Sequence, residues 1–384
     1  MGRETFKLFP NEQTLEEICE WSSSMKQLQQ RLGRYYKRSE ARGAAFDYIQ
    51  ALLSSVERKN GWQMSEQVGY QNPYRFQNLL GRASWNEEKL CAEVRAYTLE
   101  HLNDGAGILA IDETCFLKKG QESAGVARQY CGLTGQIENC QVAVFMAYLS
   151  SRGQALIDRR LYLPKSWSSS AKKREKAKIA QTTKFATKTG LAKEMLQSTF
   201  EAGLRPAWFV ADEVYSRDGL FWYWLEQTFQ QSYVLTVTKK QPTPINFPTH
   251  YAEDLLKKLS ESDWHTLSCG AGSKGERYSD WARVRLSCTQ PFGYSRWFLF
   301  RRQFSKDKNC FVFSYYQAFA PKDTSLGTLA WVAGQRWRIE ECFKFAKSHL
   351  GLAAARSPFL DWLASPYCFS SGSRSFLICF ALST

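Results

Sequence analysis

The sequence lacks the short-spaced ligand pairs that build zinc sites and small disulfide frameworks. Its 384 residues include four histidines and eleven cysteines, yet they contain no C-x-x-C pair and no H-x-x-x-H pair. A zinc site is therefore not expected. An odd number of scattered cysteines is more typical of a protein kept in a reducing cytoplasm than of a disulfide framework.

Long apolar runs are also missing. No stretch approaches the roughly eighteen apolar residues that are needed to cross a bilayer. The N-terminus, MGRETFKLFP, has no apolar signal region. These absences predict a cytoplasmic protein that has no membrane partner.

Acidic residues are outnumbered by basic ones, 37 against 51, which gives a formal net charge of +14 and a pI near 9.2. Chains this basic commonly meet polyanions, of which nucleic acid is the most frequent. The excess is concentrated in residues 165–193, which hold nine Lys or Arg and one acid. We predict that this stretch contacts a DNA backbone through Lys172, Lys173 and Arg174; a solvated basic helix face is the alternative interpretation.

Hydrophobic periodicity divides the chain into five segments. Residues 1–105 have apolar residues at three- and four-residue spacing, which predicts helices. From 106 to 238, apolar strands alternate with helices, which predicts an α/β layer architecture. Residues 239–290 are rich in Pro, Gly, Ser and Trp and indicate a β-rich insertion. Strand and then helix resume in residues 291–352, whereas residues 353–384 fit neither pattern and form an atypical tail.

The N-terminal segment contains the outline of a helix-turn-helix. In NGWQMSEQVGYQNPYRFQNLLGRASW, a short helix and a turn with Pro73 precede a second helix that carries Arg75, Gln77 and Asn78. This outline suits a helix that reads DNA, with Arg75 as the predicted contact. Two ordinary packed helices would give the same outline, so both interpretations stay open.

Two acids lie in or at the end of apolar strands, and a third lies in a late helix. Asp112 lies in ILAIDETCFL, Asp212 closes WFVAD, and Glu340 belongs to the helical stretch. Such carboxylates can converge and would then need a cation to offset their repulsion, which suits Mg²⁺ or Mn²⁺. Two such ions can promote phosphoryl transfer. Lys118 and Lys119, which follow the first acid, would hold phosphates.

The late helix combines a carboxylate with two cations. At about 100° per residue, Arg336, Glu340 and Lys347 fall within roughly 60° of one another on one face. A metal-binding carboxylate flanked by cations that contact a DNA backbone is what a nuclease-like centre requires. An exposed helix face with ordinary intrahelical ion pairs would show the same spacing.

Five motifs in one order resemble those of bacterial insertion-sequence transposases of the IS-four-like superfamily, most closely its IS-seven-hundred-and-one family. They are LAIDETCFLKKG, RQYCGLTGQIENCQVAVF, LIDRRLYLPKSW, VADEVYS and VAGQRWRIEECFKFAK, within a resemblance that covers about residues 20–352. The resemblance implies an α/β fold: an RNase H-like catalytic core, interrupted by the β-rich insertion and preceded by an all-α DNA-binding region.

The resemblance also implies the site residues and the chemistry. Asp112, Asp212 and Glu340 match the DDE triad, which would bind two Mg²⁺ or Mn²⁺ ions per active site. Arg336 and Lys347 match the superfamily's Y-x-x-R-x-x-x-E-x6-K signature. The implied activity is cut-and-paste transposition, in which hydrolysis at a transposon end frees a 3′-hydroxyl that later attacks target DNA, with a hairpin intermediate if this branch follows its superfamily.

The implied partners are double-stranded DNA, as terminal inverted repeats and as target, and a second copy of the chain in a synaptic homodimer on the nucleoid. A hairpin requires a base moved out of the stack, and a Trp ring can hold such a base. Trp281, in the insertion, is the predicted stacking residue, with Trp264 as the second choice. A Trp in a β-rich segment more often belongs to a core.

Three acids adjoin the triad and are the alternatives to it: Glu113, Glu213 and Glu341. Adjacent strand residues point to opposite faces of a sheet. Glu341 lies about 100° around the helix from Glu340. None of the three neighbours is therefore expected to bind metal.

The sequence departs from the family pattern in two places. Ala333 stands where the signature has tyrosine. After Leu352, a weakly charged stretch broken by Pro358 and Pro366 replaces the expected helical, basic end, which suggests a frameshifted C-terminus.

Two classes of function therefore stay open. The triad favours an active transposase, and the tail favours a catalytically dead DNA-binding remnant that acts at most as an inhibitor. The β insertion and the continuous motif set disfavour a third reading, a repair nuclease with the same core.

Overall fold

A computed structural model describes residues 15–85, 87–177, 179, 183–243, 250–272, 275–287, 291–305, 307 and 309–352. The tail at residues 353–384, and with it the suggested frameshift, lies outside the described residues. The described part is a mixed α/β structure built on one large sheet, as the sequence predicted.

Ten strands form this sheet. They are β1 (Ile108–Leu117), β2 (Ala127–Cys131), β3 (Gln136–Ser150), β4 (Gly153–Tyr162), β5 (Trp208–Ala211), β6 (Tyr233–Val237), β7 (His265–Gly272), β8 (Gly275–Leu286), β9 (Tyr294–Ser305) and β10 (Cys310–Pro321). Their order across the sheet is β2-β3-β1-β5-β6-β10-β9-β8-β7, and β4 also pairs with β3. Strands β7 and β8, from the segment predicted to be an insertion, thus extend the same sheet.

The central strands β1, β5 and β6 are parallel, whereas the other strand pairs of the described sheet are antiparallel. Strand β1 pairs with β5 from Ile108 opposite Trp208 to Ile111 opposite Ala211. The parallel pairing stops there, although β1 runs on to Leu117. The residues that follow Ile111 and Ala211 therefore lie side by side where β5 has ended.

The described helices cover both faces of the sheet. They are α1 (Leu15–Gly33), α2 (Ser39–Leu53), α3 (Gly61–Gln67), α4 (Tyr74–Gly81), α5 (Glu87–Leu102), α6 (Lys165–Ser168), α7 (Ala171–Lys176), α8 (Lys188–Glu201), α9 (Glu213–Ser216), α10 (Gly219–Phe229), α11 (Ala252–Leu256), α12 (Leu326–Gln335) and α13 (Trp337–His349), with a short 3-10 helix at Glu261–Asp263. None of the helices in these described ranges is both long and apolar enough to cross a bilayer.

Strand β1 shows how the sheet separates two cores. Ile108 and Ala110 pack in the cluster that includes buried residues of α12, α13 and the N-terminal helices, whereas Leu109 and Ile111 pack in the cluster of α8, α9 and α10. All four are at most 1% exposed. A strand that is buried on both faces must be apolar without alternation, which explains the run at the start of β1.

Helix α12 lies unusually close to β7. A Cβ atom at Gly334 would come within 2.3 Å of the carbonyl oxygen of Cys269. Only glycine therefore permits this approach, which brings the following helix, α13, onto the sheet beside β1.

One pair of cysteines forms a disulfide that the spacing of the cysteines in the sequence does not indicate. Cys115 on β1 and Cys131 at the end of β2 form a disulfide. Both β1 and β2 pair with β3, and 16 positions separate their two cysteines in the sequence. The scattered spacing does not reveal this pair, because the pair depends on how three strands are arranged in the sheet.

Candidate functional site

Two predicted carboxylates lie together at the ends of the parallel strands. Asp112 is the first residue of β1 beyond the pairing with β5, and Asp212 directly follows β5. Asp212 is also the N-cap of α9, where its side chain accepts a hydrogen bond of 2.9 Å from the backbone N–H of Val214. Asp112 accepts one of 2.8 Å from the N–H of Glu113. These bonds fix both carboxylates on rigid backbone.

Glu113 completes a cluster of three acids, contrary to expectation. Asp112, Glu113 and Asp212 can each offer one oxygen such that the three oxygens lie within 4.8 Å of one another. The two side chains have different partners: Asp112 bonds to Arg336, the N-cap of α13, whereas Glu113 bonds to residues of α8 and α9. Their carboxylates nevertheless approach each other, beyond the point where the pairing of β1 with β5 stops.

Glu113 is held by two groups that the sequence reasoning missed. The Lys188 ammonium lies 2.5 Å from one of its oxygens, and the Tyr215 hydroxyl donates to the other at 2.9 Å. Tyr215 is fully buried, and burial raises the pKa of its hydroxyl well above the usual value. A lysine at the first turn of α8 beside a threonine cap carries no sequence signal that points to Glu113.

Glu340 lies outside this cluster of three. Its carboxylate accepts a 2.5 Å bond from Arg336, whose other terminal nitrogen lies 2.8 Å from Asp112. The Arg336 guanidinium thus connects Glu340 to Asp112. Glu340 remains 54% exposed, whereas Asp112 is 13% exposed.

Burial disfavours the charged forms of the two aspartates. It raises the pKa of Asp112 to about 7; Arg336 opposes this shift, and the neighbouring acids add to it. Burial likewise raises the pKa of Asp212 to about 6, with Glu113 as the next largest cause. Burial and the neighbouring acids therefore outweigh the opposing effect of Arg336 on the pKa of both aspartates.

Lys347 points back toward β1. Its ammonium donates a 2.5 Å hydrogen bond to the Thr114 hydroxyl and lies 5.9 Å from the centre of the Phe116 ring. Burial lowers the pKa of Lys347. The structure thus brings Arg336, Lys347 and Asp112 to one side of β1.

The other predicted DNA contacts are distributed over the surface. Lys118 and Lys119 follow β1, and Lys172, Lys173 and Arg174 lie on α7. Arg75 is exposed on α4 and stacks 4.6 Å from the Tyr70 ring. The proposed roles of these six residues in DNA binding stay predictions.

The prediction that Trp281 holds an extruded base does not agree with the structure. Trp281 is fully buried on β8, with its ring 5.4 Å from that of Tyr316, and belongs to the same hydrophobic cluster as buried residues of α12. Trp264, the second choice, is partly exposed but has its ring stacked 4.5 Å from the Arg302 guanidinium.

The donor set suits a hard divalent cation. Carboxylate oxygens are the ligands that Mg²⁺ and Mn²⁺ prefer, and oxygens on opposite sides of such an ion are about 4 to 5 Å apart. One oxygen from each of Asp112, Glu113 and Asp212 lies within 4.8 Å of the other two, which is close enough for the three to share an ion. Two of the three acids also have a raised pKa, which a bound cation would reverse.

Comparisons with known proteins identify the family of the chain. The family model described as DDE superfamily endonuclease matches residues 27–249, more than half of the chain. The chain belongs to this family. The match includes Asp112 and Asp212 and ends before Glu340.

A probable transposase for insertion sequence element IS701, from Microchaete diplosiphon, is 24% identical over 212 residues, which are 55% of this chain and 50% of that protein. The chain thus spans about half the length of this curated relative. Together with the family match, this similarity confirms the resemblance to insertion-sequence DDE transposases. A solved synaptic complex of piggyBac transposase with hairpin DNA aligns with a TM-score of 0.44 and 10% identity, covering 90% of this chain and 70% of that chain.

Proposed function

We propose that the protein is a metal-dependent DNA transposase, which hydrolyses a phosphodiester at the ends of an insertion sequence and joins the freed 3′ end to target DNA. The observation that carries this proposal is the convergence of Asp112, Glu113 and Asp212 at the ends of the parallel strands. Membership of the DDE endonuclease family makes nucleic-acid hydrolysis the chemistry that best fits these acids.

The division of the chain follows from the same proposal. Residues 106–238 and 291–352 would form an RNase H-like core, since they supply the parallel strands and the helix with Glu340. Residues 239–290 would be the β insertion, because β7 and β8 add to the sheet beyond β9. Residues 1–105 would bind DNA, with Arg75 exposed on one of the helices that precede β1.

Asp112 and Asp212 would hold Mg²⁺ or Mn²⁺, and the two-ion arrangement of the family would require Glu340 as a further ligand. When bound, the ions supply activation of the attacking oxygen and stabilisation of the leaving oxygen. Glu113 would keep the cluster in place, because Lys188 and Tyr215 already bond to both of its oxygens.

Arg336 would bind the DNA phosphate next to the cleaved bond. Its guanidinium lies beside Asp112 and can present its planar fork to a phosphate once the acids have a cation. Lys347 would support the same strand of DNA from the next position along β1, where it now bonds to Thr114. The basic residues Lys118 and Lys119, with Lys172, Lys173 and Arg174, would give affinity without sequence choice.

The DNA partners would be the terminal inverted repeats of the element and the target duplex, bound by a homodimer in the bacterial cytoplasm on the nucleoid. The reaction would be cut-and-paste. The hairpin intermediate belongs to this proposal as the step that follows the first cleavage.

The test is Mg²⁺-dependent cleavage of a DNA fragment that carries the inverted repeats flanking the protein's own gene. We expect Asp112→Ala and Asp212→Ala to lower the cleavage rate by more than about 100-fold, since each removes a charged group from the metal site. Glu213→Gln is the matched control, because Glu213 adjoins Asp212 but is exposed and paired with Arg217. Gel analysis under denaturing conditions would reveal a hairpin as a product of doubled length.

The same purified protein distinguishes an active transposase from a catalytically dead DNA-binding remnant. DNA binding that is specific for the repeats, without cleavage in Mg²⁺ or Mn²⁺, would point to a catalytically dead remnant. Binding of Mn²⁺ to Glu113→Gln and Glu340→Gln, measured by calorimetry, identifies the third ligand. A loss confined to Glu113→Gln would contradict the assignment of Glu340.

A further inference from the structure

The hairpin of β2 and β3 exposes an aromatic and apolar face. Tyr130 on β2 lies opposite Ile137 on β3, and their side chains are 64% and 59% exposed. The preceding pair on the same face is Arg128 and Asn139, since residues two apart on a strand point the same way. An exposed tyrosine therefore stands directly beside an exposed arginine.

A basic cavity opens at the arginine end of this face. It has a volume of about 460 Å³, and the charged residues that line it are Arg128, Lys172, Lys173, Lys176 and Glu122. Lys176 lies 2.5 Å from the carboxylate of Glu122. Among the described residues, Arg128 and Lys172 have no acidic partner. The cavity thus has a surplus of positive charge, which is complementary to a phosphodiester.

The cavity and the hairpin are firmly attached to each other. The indole N–H of Trp167, a residue of α6 that lines the cavity, donates a 2.8 Å hydrogen bond to the Val126 carbonyl just before β2. Lys173 lies 5.3 Å from the centre of the same ring. Trp167 is 2% exposed, so it forms the floor of the cavity rather than a surface for a ligand.

The hairpin is also tied to the strand that carries Asp112. The disulfide from Cys115 to Cys131 joins β1 to the residue after Tyr130, with 5.6 Å between the two Cα atoms. Asp112 is three residues before Cys115 on an extended strand. The Cα atoms of Tyr130 and Asp112 are therefore at most about 20 Å apart, or about six nucleotide steps of duplex DNA.

We propose that this face binds the DNA strand that runs from the carboxylate cluster, with a backbone phosphate in the cavity and a base stacked on Tyr130. The inference rests on the proposed function. Tyr130 and Arg128 are about 7 Å apart along β2 because they are two residues apart on one strand. The tyrosine ring and the arginine can therefore contact two neighbouring nucleotides. A positive groove beside an exposed aromatic ring is the arrangement by which proteins bind unpaired strands without sequence preference.

The occupant favoured by this charge is DNA and not a second copy of the chain. Lone apolar residues such as Ile137 occur on many surfaces. The neighbouring cations would repel the same basic face of another molecule, since the whole chain carries a formal charge of +14.

The experiment compares the binding of two fluorescent DNA probes by anisotropy: a 20-base-pair duplex and a fork with the same duplex and an unpaired ten-nucleotide arm. We expect Tyr130→Ala to weaken binding of the fork about 5- to 100-fold, the loss of one stacked base, and to leave duplex binding nearly unchanged. Tyr130→Phe should restore fork binding because it keeps the ring. Tyr278→Ala is the matched control, since Tyr278 is 60% exposed on β8.

A second pair of variants tests the cavity. Arg128→Gln with Lys172→Gln should lower the slope of log affinity against log salt for the fork by about one to two, as expected for lost phosphate contacts. Lys257→Gln with Lys258→Gln, directly after α11, serves as the control and should leave this slope unchanged.

The outcomes separate this inference from the proposed function. Wild-type binding to both probes, with no loss in Tyr130→Ala, would overturn the inference and leave the transposase proposal intact. A change in oligomeric state of Tyr130→Ala by light scattering, without a change in fork binding, would also overturn it in favour of an interface between copies. Absence of DNA binding by the wild type would refute both.

Discussion

Replacing Asp112 by asparagine should make the metal-free protein more stable at alkaline pH. An unperturbed aspartate titrates near 3.9, and burial raises the pKa of Asp112 to about 7 in the folded protein. A carboxyl group with a raised pKa holds its proton more tightly when folded. The contribution of protonated Asp112 to the free energy of unfolding is therefore fully present below the pKa of the unfolded chain. It is lost as pH rises through the pKa of the folded protein.

The size of the effect follows from these two values. Between pH 5 and pH 8, this linkage removes roughly 2 to 3 kcal/mol from the free energy of unfolding of the wild type. The amide of Asp112→Asn does not titrate. The difference in free energy of unfolding between variant and wild type should therefore shift in favour of the variant by that amount over the same pH range.

The assay is urea denaturation followed by tryptophan fluorescence, in EDTA, at pH 5 and pH 8. Glu213→Gln is the control: its carboxylate is 43% exposed, and the substitution should give no comparable shift. Mg²⁺ at about 100 times its dissociation constant should then stabilise the wild type at pH 8 by about 2.7 kcal/mol, and Asp112→Asn by less at the same Mg²⁺ concentration. A difference between Asp112→Asn and wild type that does not change with pH would refute the reasoning.

Three further substitutions test the surroundings of the site. Arg296→Ala should destabilise the protein by about 3 to 5 kcal/mol, because it leaves the buried Glu226 carboxylate without its cation; equal urea midpoints for variant and wild type would contradict this. Gly334→Ala should lower the melting temperature, since its methyl group would meet the Cys269 carbonyl; an unchanged melting temperature would show that α12 can move away from β7. Trp281→Ala should cost about 3 to 5 kcal/mol, whereas Trp281→Phe should recover part of this stability; loss of hairpin formation by a fully stable Trp281→Phe would restore a role for Trp281 at the DNA.

The positions of Asp112 and Asp212 could be predicted because parallel strands of equal register end at the same edge of a sheet. Each acid follows a run of apolar residues, and the run marks a strand that is buried on both faces. The pairing of Ile111 with Ala211 then puts the next two residues side by side. Local patterns and one topological rule were sufficient for this part of the site.

The position of Glu113 could not be predicted in the same way. Alternation assigns it correctly to the opposite face of β1, where it meets Lys188 and Tyr215. Its carboxylate still lies close to those of Asp112 and Asp212, just beyond the last pair of β1 with β5 and beside the cap of α9. A rule about strand faces contains no information about where a neighbouring strand stops.

Trp281 shows a second limit of sequence reasoning. On β8 it alternates with Arg283 and Arg285, both exposed, so its own strand indicates a face open to solvent. Helix α12, about 45 positions later, packs into the cluster that buries Trp281. The exposure of a strand residue thus depends on the helix that covers the sheet, and no local pattern predicts which strand positions that helix reaches.

The packing of α13 against the sheet limits how Glu340 can approach the other acids. The helix is fixed to the sheet at several points: Phe343 packs 5.4 Å from the Phe145 ring, and Arg338 donates to the Ser150 carbonyl at 2.9 Å. A shift of the whole helix would break these contacts. If the proposed function is right, the Glu340 side chain would therefore exchange the Arg336 guanidinium for the metal ion, and Arg336 would become available to a phosphate. The two changes would be coupled, since Arg336 would lose its present interactions with both Glu340 and Asp112.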